Sequence, residues 1–237
     1  MIKTLSVIIP VFNEEKTIYA VLEKVCQTQL INNIQKQIIV IDDTSGDASH
    51  ERIKEFIDKH KTEYTIQFIS HSLNSGKGAA VRTGLDLAIG DFTIIQDADL
   101  ELDPSDFNLL LRKALDENAD VVFGSRFLKK QNHFIPFKTR LANKGLTFFT
   151  RVVTGKHLTD METCYKLIRT SLFKSFTLHE NRFGFEPEIT VKLLRKKEVV
   201  FKEVPITYKA RTVQQGKKIG IKDGWRAMVC LIKYRYS

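Results

Sequence analysis

The sequence predicts an α/β fold: a single domain whose mainly parallel central sheet is covered by helices on both faces. Three observations lead there. Apolar β-branched runs alternate with helically spaced apolar residues through the first half of the chain, the pattern of parallel strands joined by crossover helices. Polar, acidic clusters follow several of those runs directly, at what becomes the carboxyl edge of such a sheet. The chain is 237 residues long, 43% apolar and 27% charged, enough for a sizeable core with ordinary globular composition.

Each element follows from its spacing. Leu5 to Ile9 is a β-rich run closed by Pro10, and Glu14 to Gln27 carries Ile18, Val21, Leu22 and Val25 at helical intervals. Gln37 to Ile41 is the second strand; Ile53, Phe56 and Ile57 mark a helix; Tyr64 to Ile69 is the third strand. Ser75 to Ile89 is helical, Phe92 to Ile95 is a strand, and Asp103-Pro104-Ser105-Asp106 starts a helix, with a capping Asp and a proline at the first helical position. Asp120 to Phe123 is the fifth strand. Beyond it, Lys138 to Thr154 and Glu186 to Lys196 read as helices and Val199 to Tyr208 as strands around Pro205. A terminal helix spans Lys222 to Tyr234, with Trp225, Met228, Val229 and Ile232 on one side.

Charge divides the chain. Residues 1–120 hold 12 basic and 20 acidic side chains, net −8; residues 121–237 hold 25 and 8, net +17; together they give the +9 of the whole. The acidic half suits a cation, the basic half phosphates, nucleic acid or anionic lipid. Three scattered cysteines fit neither a zinc site of close pairs nor a disulfide framework, which suggests a reducing compartment. No apolar run reaches the roughly 18 to 20 residues that cross a bilayer, and the start, Met-Ile-Lys-Thr-Leu, shows no apolar region behind a basic one, so no cleavable leader is expected.

The chemistry-bearing residues lie just after strands: Pro10 to Glu14, Asp42 to Asp47, and Asp97-Ala98-Asp99-Leu100-Glu101. Asp97 and Asp99 can converge on a hard cation such as Mg²⁺ or Mn²⁺, which takes one or two carboxylates together with phosphate oxygens and water. Asn74-Ser75-Gly76-Lys77-Gly78 is neither the phosphate loop of kinase-like NTPases nor a dinucleotide fingerprint. Lys77 serves there as a phosphate contact or as part of a glycine-rich helix entry.

The order Val-Ile-Ile-Pro-Val-Phe-Asn-Glu-Glu, Val-Ile-Asp-Asp-Thr-Ser-Gly-Asp, Asn-Ser-Gly-Lys-Gly, Gln-Asp-Ala-Asp-Leu-Glu and Phe-Gly-Ser-Arg-Phe resembles family 2 glycosyltransferases. Within them it is similar to the branch of dolichyl-phosphate mannosyltransferase and bacterial polyprenyl-phosphate glycosyltransferases. The resemblance runs from Ser6 to about Arg235. It implies a GT-A-like (Rossmann-like) domain over 1–237, with a nucleotide-sugar and metal half at 1–125 and a basic acceptor half at 126–237. It implies a nucleotide-sugar pocket of Pro10, Phe12, Glu14, Ile41, Asp43, Lys77, Asp97 and Ala98, with Asp43 accepting from the base. Asp97, Asp99 and Glu101 would hold Mg²⁺ or Mn²⁺; Arg126, Arg140, Arg211 and Lys217 would contact phosphates; and Asp99, Arg126, Asp160 and Arg211 would form the catalytic group. Thr44 stands where Gly or Asn is commoner, and Glu101 where the mannosyl enzymes carry Gln.

The expected activity is metal-dependent, inverting transfer of a hexose from a nucleotide sugar of the GDP-mannose or UDP-glucose type to a polyprenyl phosphate. A lipid phosphate, with a second pKa of about 6, is already a nucleophile near neutral pH. It needs positioning rather than deprotonation. A sugar-hydroxyl acceptor in polysaccharide synthesis is the alternative, and it demands a carboxylate base, for which Asp160, Glu162, Glu186 and Glu188 are candidates. A basic nucleic-acid-binding module is the reading of a different class. Lys192 to Lys197 has no interleaved aromatics for stacking, so no nucleic acid is expected. The expected setting is the cytoplasmic face of a membrane, with the protein peripheral and a separate membrane subunit left open as a partner.

Overall fold

The computed structural model describes residues 2–128, 135, 137–211 and 221–236. A seven-stranded sheet runs in the order β3-β2-β1-β4-β6-β5-β7. Its strands are β1 (Thr4–Val11), β2 (Gln35–Asp42), β3 (Ile66–Ser70), β4 (Phe92–Ile95), β5 (Val121–Ser125), β6 (Lys166–Arg169) and β7 (Phe201–Pro205). All pairings are parallel except those of β6, which runs antiparallel to both β4 and β5. The helices are α1 (Ile18–Gln27), α2 (Ser49–His60), α3 (Lys77–Leu87), α4 (Phe107–Asp116), α5 (Phe137–Thr154), the short α6 (Thr170–Lys174), α7 (Phe185–Arg195) and α8 (Ile221–Lys233).

The expected α/β architecture is present, with local differences; the strands expected around Pro205 are a single strand that ends there, and two others concern β1 and β6. β1 does not stop at Pro10; it continues to Val11, with Pro10 in register with Ile41. The N–H of Gln96 donates to Ile8 O, so the even residues of β1 face β4. Pairing with β4 ends at Ile8, and Pro10 lacks its N–H where no partner strand remains to accept one. The other difference is β6, four residues with a fully buried lysine, too short and too polar to announce itself by alternation. The helix start at Asp103 is as expected: its carboxylate accepts from Ser105 N–H, a 3₁₀ turn follows over Pro104–Asp106, and α4 begins at Phe107.

α8 divides its apolar residues between two faces. Ala227, Cys230, Leu231 and Tyr234 at its end are buried, whereas Trp225, Val229 and Ile232 are 75%, 39% and 53% exposed. The inner face packs on α5 and α7. Buried Glu180 fixes it there, accepting from Arg226 Nη2 at 2.7 Å, Lys233 Nζ at 3.1 Å and Tyr234 Oη at 3.0 Å. Burial by itself would raise this carboxyl, but the three donors outweigh it and bring its pKa down to about 2. An acid depressed in this way stabilises the fold above its unfolded pKa and loses that contribution as pH falls. Glu180→Gln is therefore expected to cost about 1–2 kcal/mol at pH 7, discounted because Arg226 and Lys233 are solvent-accessible. The difference from wild type, read by urea denaturation, is expected to shrink as pH falls from about 4.5 towards 2.

Candidate active site

β1 and β4 are neighbours whose connections leave in opposite directions along the sheet, which opens a crevice at their carboxyl ends. Two of the acidic clusters meet there. Thr17 Oγ1 donates to Ala98 O at 2.9 Å and to Glu14 Oε2 at 3.0 Å, tying the segment after β1 to the one after β4. The cluster after β2 joins them through Asn13, whose Oδ1 accepts from Gly46 N–H at 2.7 Å. Pro10 and Ile41 are buried in their strands, while Phe12 is 38% exposed at the rim.

Cations from distant parts of the chain neutralise these carboxylates. Arg211 bridges Glu14 (2.9 Å) and Asp99 (2.6 Å), and its backbone N–H donates to Glu101 Oε1 at 2.6 Å. Tyr208 Oη donates to the other oxygen of Glu101 at 3.0 Å, next to the isolated bridge between Leu102 and Tyr208. Lys77 reaches Asp97 at 2.7 Å and Glu186 at 3.2 Å, and the fully buried Lys166 holds the second oxygen of Glu186. The result is a chain of alternating charge, Asp97–Lys77–Glu186–Lys166, leading from the crevice into the core. Burial would raise Asp97, but Lys77 overcomes it and holds the carboxyl below its usual range. Asp99 goes the other way, pushed up to about 7 by burial first and then by Asp97 and Glu101, with Arg211 only partly offsetting them.

Asp43 is occupied from within the protein. His71 Nδ1 lies 2.8 Å from its Oδ1, and the N–H groups of Ser75 and Gly76 donate to it at 2.9 and 2.6 Å. It thereby shapes the loop that presents Lys77. Gly76 has φ +93°, and a Cβ there would meet Asn181 O at 2.5 Å; a Cβ on Gly78 would strike Glu180 O closer still. This loop rests directly on the backbone that Glu180 ties to α8.

Arg126 lies further along the cleft. Its Nε and Nη2 form a bidentate pair with the fully buried Asp160 at 2.7 and 2.8 Å, its backbone N–H donates to the same carboxylate, and its guanidinium sits 5.1 Å from the Tyr208 ring centroid. Asp160 thus orients an arginine. Glu188 is likewise committed, to Lys192 and to the N–H groups of His179 and Glu180. Arg140 is exposed on α5, and Lys217 lies outside the described residues. Sequence reasoning missed Tyr208 and His71, and it named Glu186 as a candidate base without its pairing to Lys166; only strand order brings these groups to the crevice.

Asp97, Asp99 and Glu101 do not converge as three metal ligands, and among the described residues no group of three or more His, Cys, Asp or Glu is arranged to hold an ion. Glu101 is committed to Tyr208 and the Arg211 backbone instead. Asp97 and Asp99 remain a pair of hard oxygen donors that fit Mg²⁺ or Mn²⁺, each now facing a side-chain cation. The buried Nε of Arg211, 3.9 Å from Glu101, has no hydrogen-bond partner among the described residues, so this arginine holds Asp99 and Glu14 through its Nη atoms alone.

A crevice at the switch point of a mainly parallel sheet, lined by paired carboxylates and arginines, defines a GT-A-type domain. The chain belongs to glycosyl transferase family 2, whose profile matches residues 6–177. It is 28% identical to the dolichol-phosphate mannosyltransferase of Pyrococcus furiosus, over 91% of this chain and 59% of that protein. It is 24% identical to the dodecaprenyl-phosphate galacturonate synthase of Rhizobium johnstonii, over 98% of this chain and 66% of the relative. The chain therefore spans about six-tenths of the length of these curated relatives. Its fold matches glucosyl-3-phosphoglycerate synthase from Mycobacterium tuberculosis in complex with UDP, with a TM-score of 0.74 at 18% identity, over 98% of this chain and 80% of that one. Another structure of that enzyme, TM-score 0.68, contains Mn²⁺ with UDP.

Proposed function

We propose that this chain transfers a hexose from a nucleotide sugar to a polyprenyl phosphate, with inversion and with a divalent metal, at a membrane surface. The observation that carries the reading is the cleft's two-sided charge: Asp97 and Asp99 with Lys77 at one end, Arg126 held by Asp160 at the other. Asp97 and Asp99 would hold the metal, which supplies charge stabilisation for the departing diphosphate. Lys77 adds positive charge on the same side. Arg126, aimed by Asp160, and Arg211, once it releases the carboxylates, would grip the acceptor phosphate, since guanidinium matches phosphate geometry bidentately. A phosphate acceptor requires no base, and of the four candidate bases Asp160, Glu186 and Glu188 are each tied to a cation, Glu162 being the exception among the described residues. The polyprenyl-phosphate substrates in the relatives' names support the acceptor class.

The outer surface of the acceptor half supports the membrane setting. Leu141, Phe148 and Val152 on α5 are at least 60% exposed, and α5 packs against α8, whose outer face shows Trp225, Val229 and Ile232. α5 carries Lys138, Arg140, Lys144 and Arg151 and no acid. Aromatic and aliphatic groups among lysines and arginines suit an anionic bilayer surface, although among the described residues no helix is long and apolar enough to cross one. Vesicles containing phosphatidylglycerol are expected to shift Trp225 emission to the blue. Phe148→Ser with Trp225→Ser is expected to reduce transfer to long-chain polyprenyl phosphate about 10-fold or more while sparing a short water-soluble analogue, each apolar side chain contributing on the order of 1.5–3 kcal/mol when buried.

The function itself is tested by incubating the protein with polyprenyl phosphate, Mg²⁺ or Mn²⁺ and a panel of nucleotide sugars, with mass-spectrometric detection of a lipid-linked sugar. A chelator is expected to stop the reaction. Transfer only to a sugar hydroxyl would overturn the acceptor assignment.

A further inference from the structure

This inference rests on the reading above, which puts two phosphate positions in one cleft: the donor diphosphate by Lys77, Asp97 and Asp99, and the acceptor phosphate by Arg126. A sugar passing from one phosphate to the other must lie between them. Glu162 stands in that interval. It lies on the segment from Asp160, which pairs with Arg126 on the acceptor side, to Cys164, whose Sγ is 3.6 Å from Lys77 Nζ on the donor side. Its side chain is half-buried, and its Oε1 is enclosed without a hydrogen-bond partner among the described residues.

Among the described acids around the cleft Glu186 shares an enclosed oxygen without a hydrogen bond, but that Oε1 faces Lys77 Nζ at 3.2 Å, whereas Glu162 has no ion-pair partner. Asp97 is matched by Lys77, Glu14 and Asp99 by Arg211, Glu101 by Tyr208 and a backbone N–H, Asp160 by Arg126, and Glu186 by Lys166. An enclosed oxygen without a partner is costly, and the cost disappears when a ligand brings a hydroxyl to it.

We propose that Glu162 reads a hydroxyl of the transferred sugar, and that the sugar is a neutral hexose rather than a hexuronate. Burial is the main cause that pushes the Glu162 carboxyl up to about 7, with Lys166 pulling it down and Glu186 pushing it further up. Near neutral pH it therefore offers both an O–H donor and an acceptor oxygen, the complement of a hydroxyl, which is itself both. The second part follows from the acids. A sugar carboxylate in place of that hydroxyl would meet the Glu162 carboxyl itself, on which Glu186 and Asp160 already act as like charges.

The test is calorimetric binding, with Mn²⁺ present, of UDP against UDP-hexose and of GDP against GDP-hexose. The expected result is that Glu162→Ala leaves the affinity for the nucleoside diphosphate unchanged and removes about 10- to 100-fold of the affinity for the nucleotide sugar. Glu162→Gln, which keeps both a donor and an acceptor and preserves the packing, is expected to recover part of it. A deoxy donor lacking the hydroxyl that is read is expected to bind weakly to wild type and no more weakly to Glu162→Ala. A hexuronate donor is expected to bind less well than the matching hexose.

Equal loss for diphosphate and nucleotide sugar would reduce Glu162 to a structural role and overturn the proposal. So would a fall in kcat with sugar binding intact, which would make Glu162 the base for a hydroxyl acceptor, and so would a preference for hexuronate. Failure to glycosylate polyprenyl phosphate while sugar binding still depends on Glu162 would overturn the acceptor assignment instead and leave this one standing.

Discussion

Asp99→Ala is expected to lower sugar transfer by about 10²- to 10³-fold, the scale on which loss of one well-placed electrostatic contact to a developing charge is felt. The side chain removed is one of the two carboxylates proposed to hold the metal, and Arg211 would keep Glu14 and the longer approach to Glu101. The activity loss is not expected to come from unfolding. Asp99 is an acid whose pKa in the fold is raised to about 7, so the unfolded chain gives up this proton at lower pH than the folded one. Stability is then lost as pH rises from about 3.8 towards 7, and deleting the group relieves repulsion with Asp97 and Glu101. Metal-dependent nucleotide-sugar binding by calorimetry is expected to vanish, while the thermal midpoint at pH 8 stays level or rises. Undiminished metal-dependent binding would remove Asp99 from the site.

Gly78→Ala is the substitution with the largest expected structural effect. The new methyl would be driven into Glu180 O, with Asn181 C at 3.1 Å and Phe185 Cβ at 3.0 Å closing the other directions. Backbone atoms cannot rotate aside as a side chain can, so either α3 or the 180–182 segment has to move. Overpacking of this kind costs about 1–3 kcal/mol, at the upper end where backbone must shift. The same displacement breaks the hydrogen bond from Ala79 N–H to Asn181 O and draws Lys77 off Asp97 and Glu186, so transfer is expected to fall along with the thermal midpoint. Gly145→Ala in α5 is the matched control. Among the described residues nothing lies within 4 Å of that added carbon, and exchanging a helical glycine for alanine is expected to stabilise by about 0.5–1 kcal/mol. Urea denaturation of the pair separates a close-packed glycine from an idle one.

Most of the fold was legible because strands such as Ile38–Ile41 and helices such as α4 announce themselves by local period. β6 did not, because Lys166 and Arg169 occupy two of its four positions and its partners lie more than 40 residues away in sequence. The carboxylates of the site were legible as clusters after strands, yet their state was not. That Asp43 is satisfied by His71 and a turn of backbone, that Glu101 belongs to Tyr208, and that Glu162 lacks a partner all depend on which segments the sheet order brings together. α8 illustrates the same limit: its sequence shows apolar residues, and only packing decides that Leu231 faces the protein and Trp225 the solvent.

The seat of β6 between β4 and β5 also sets a schedule for biosynthesis. As the chain leaves the ribosome, β1 to β4 can pair among themselves, in the order β3-β2-β1-β4, as soon as Ile95 has emerged. β5 comes next, but neither of its neighbours exists yet: β6 begins about 40 residues later and β7 later still. Until then the free edge of β4 and the apolar run of β5 are both exposed, at the stage when nascent chains are most open to mispairing with other chains. The proposed halves on either side of residue 125 are thus unequal in time: the first forms most of a sheet early, and β6, delivered from the second half, then brings β5 and β7 into it.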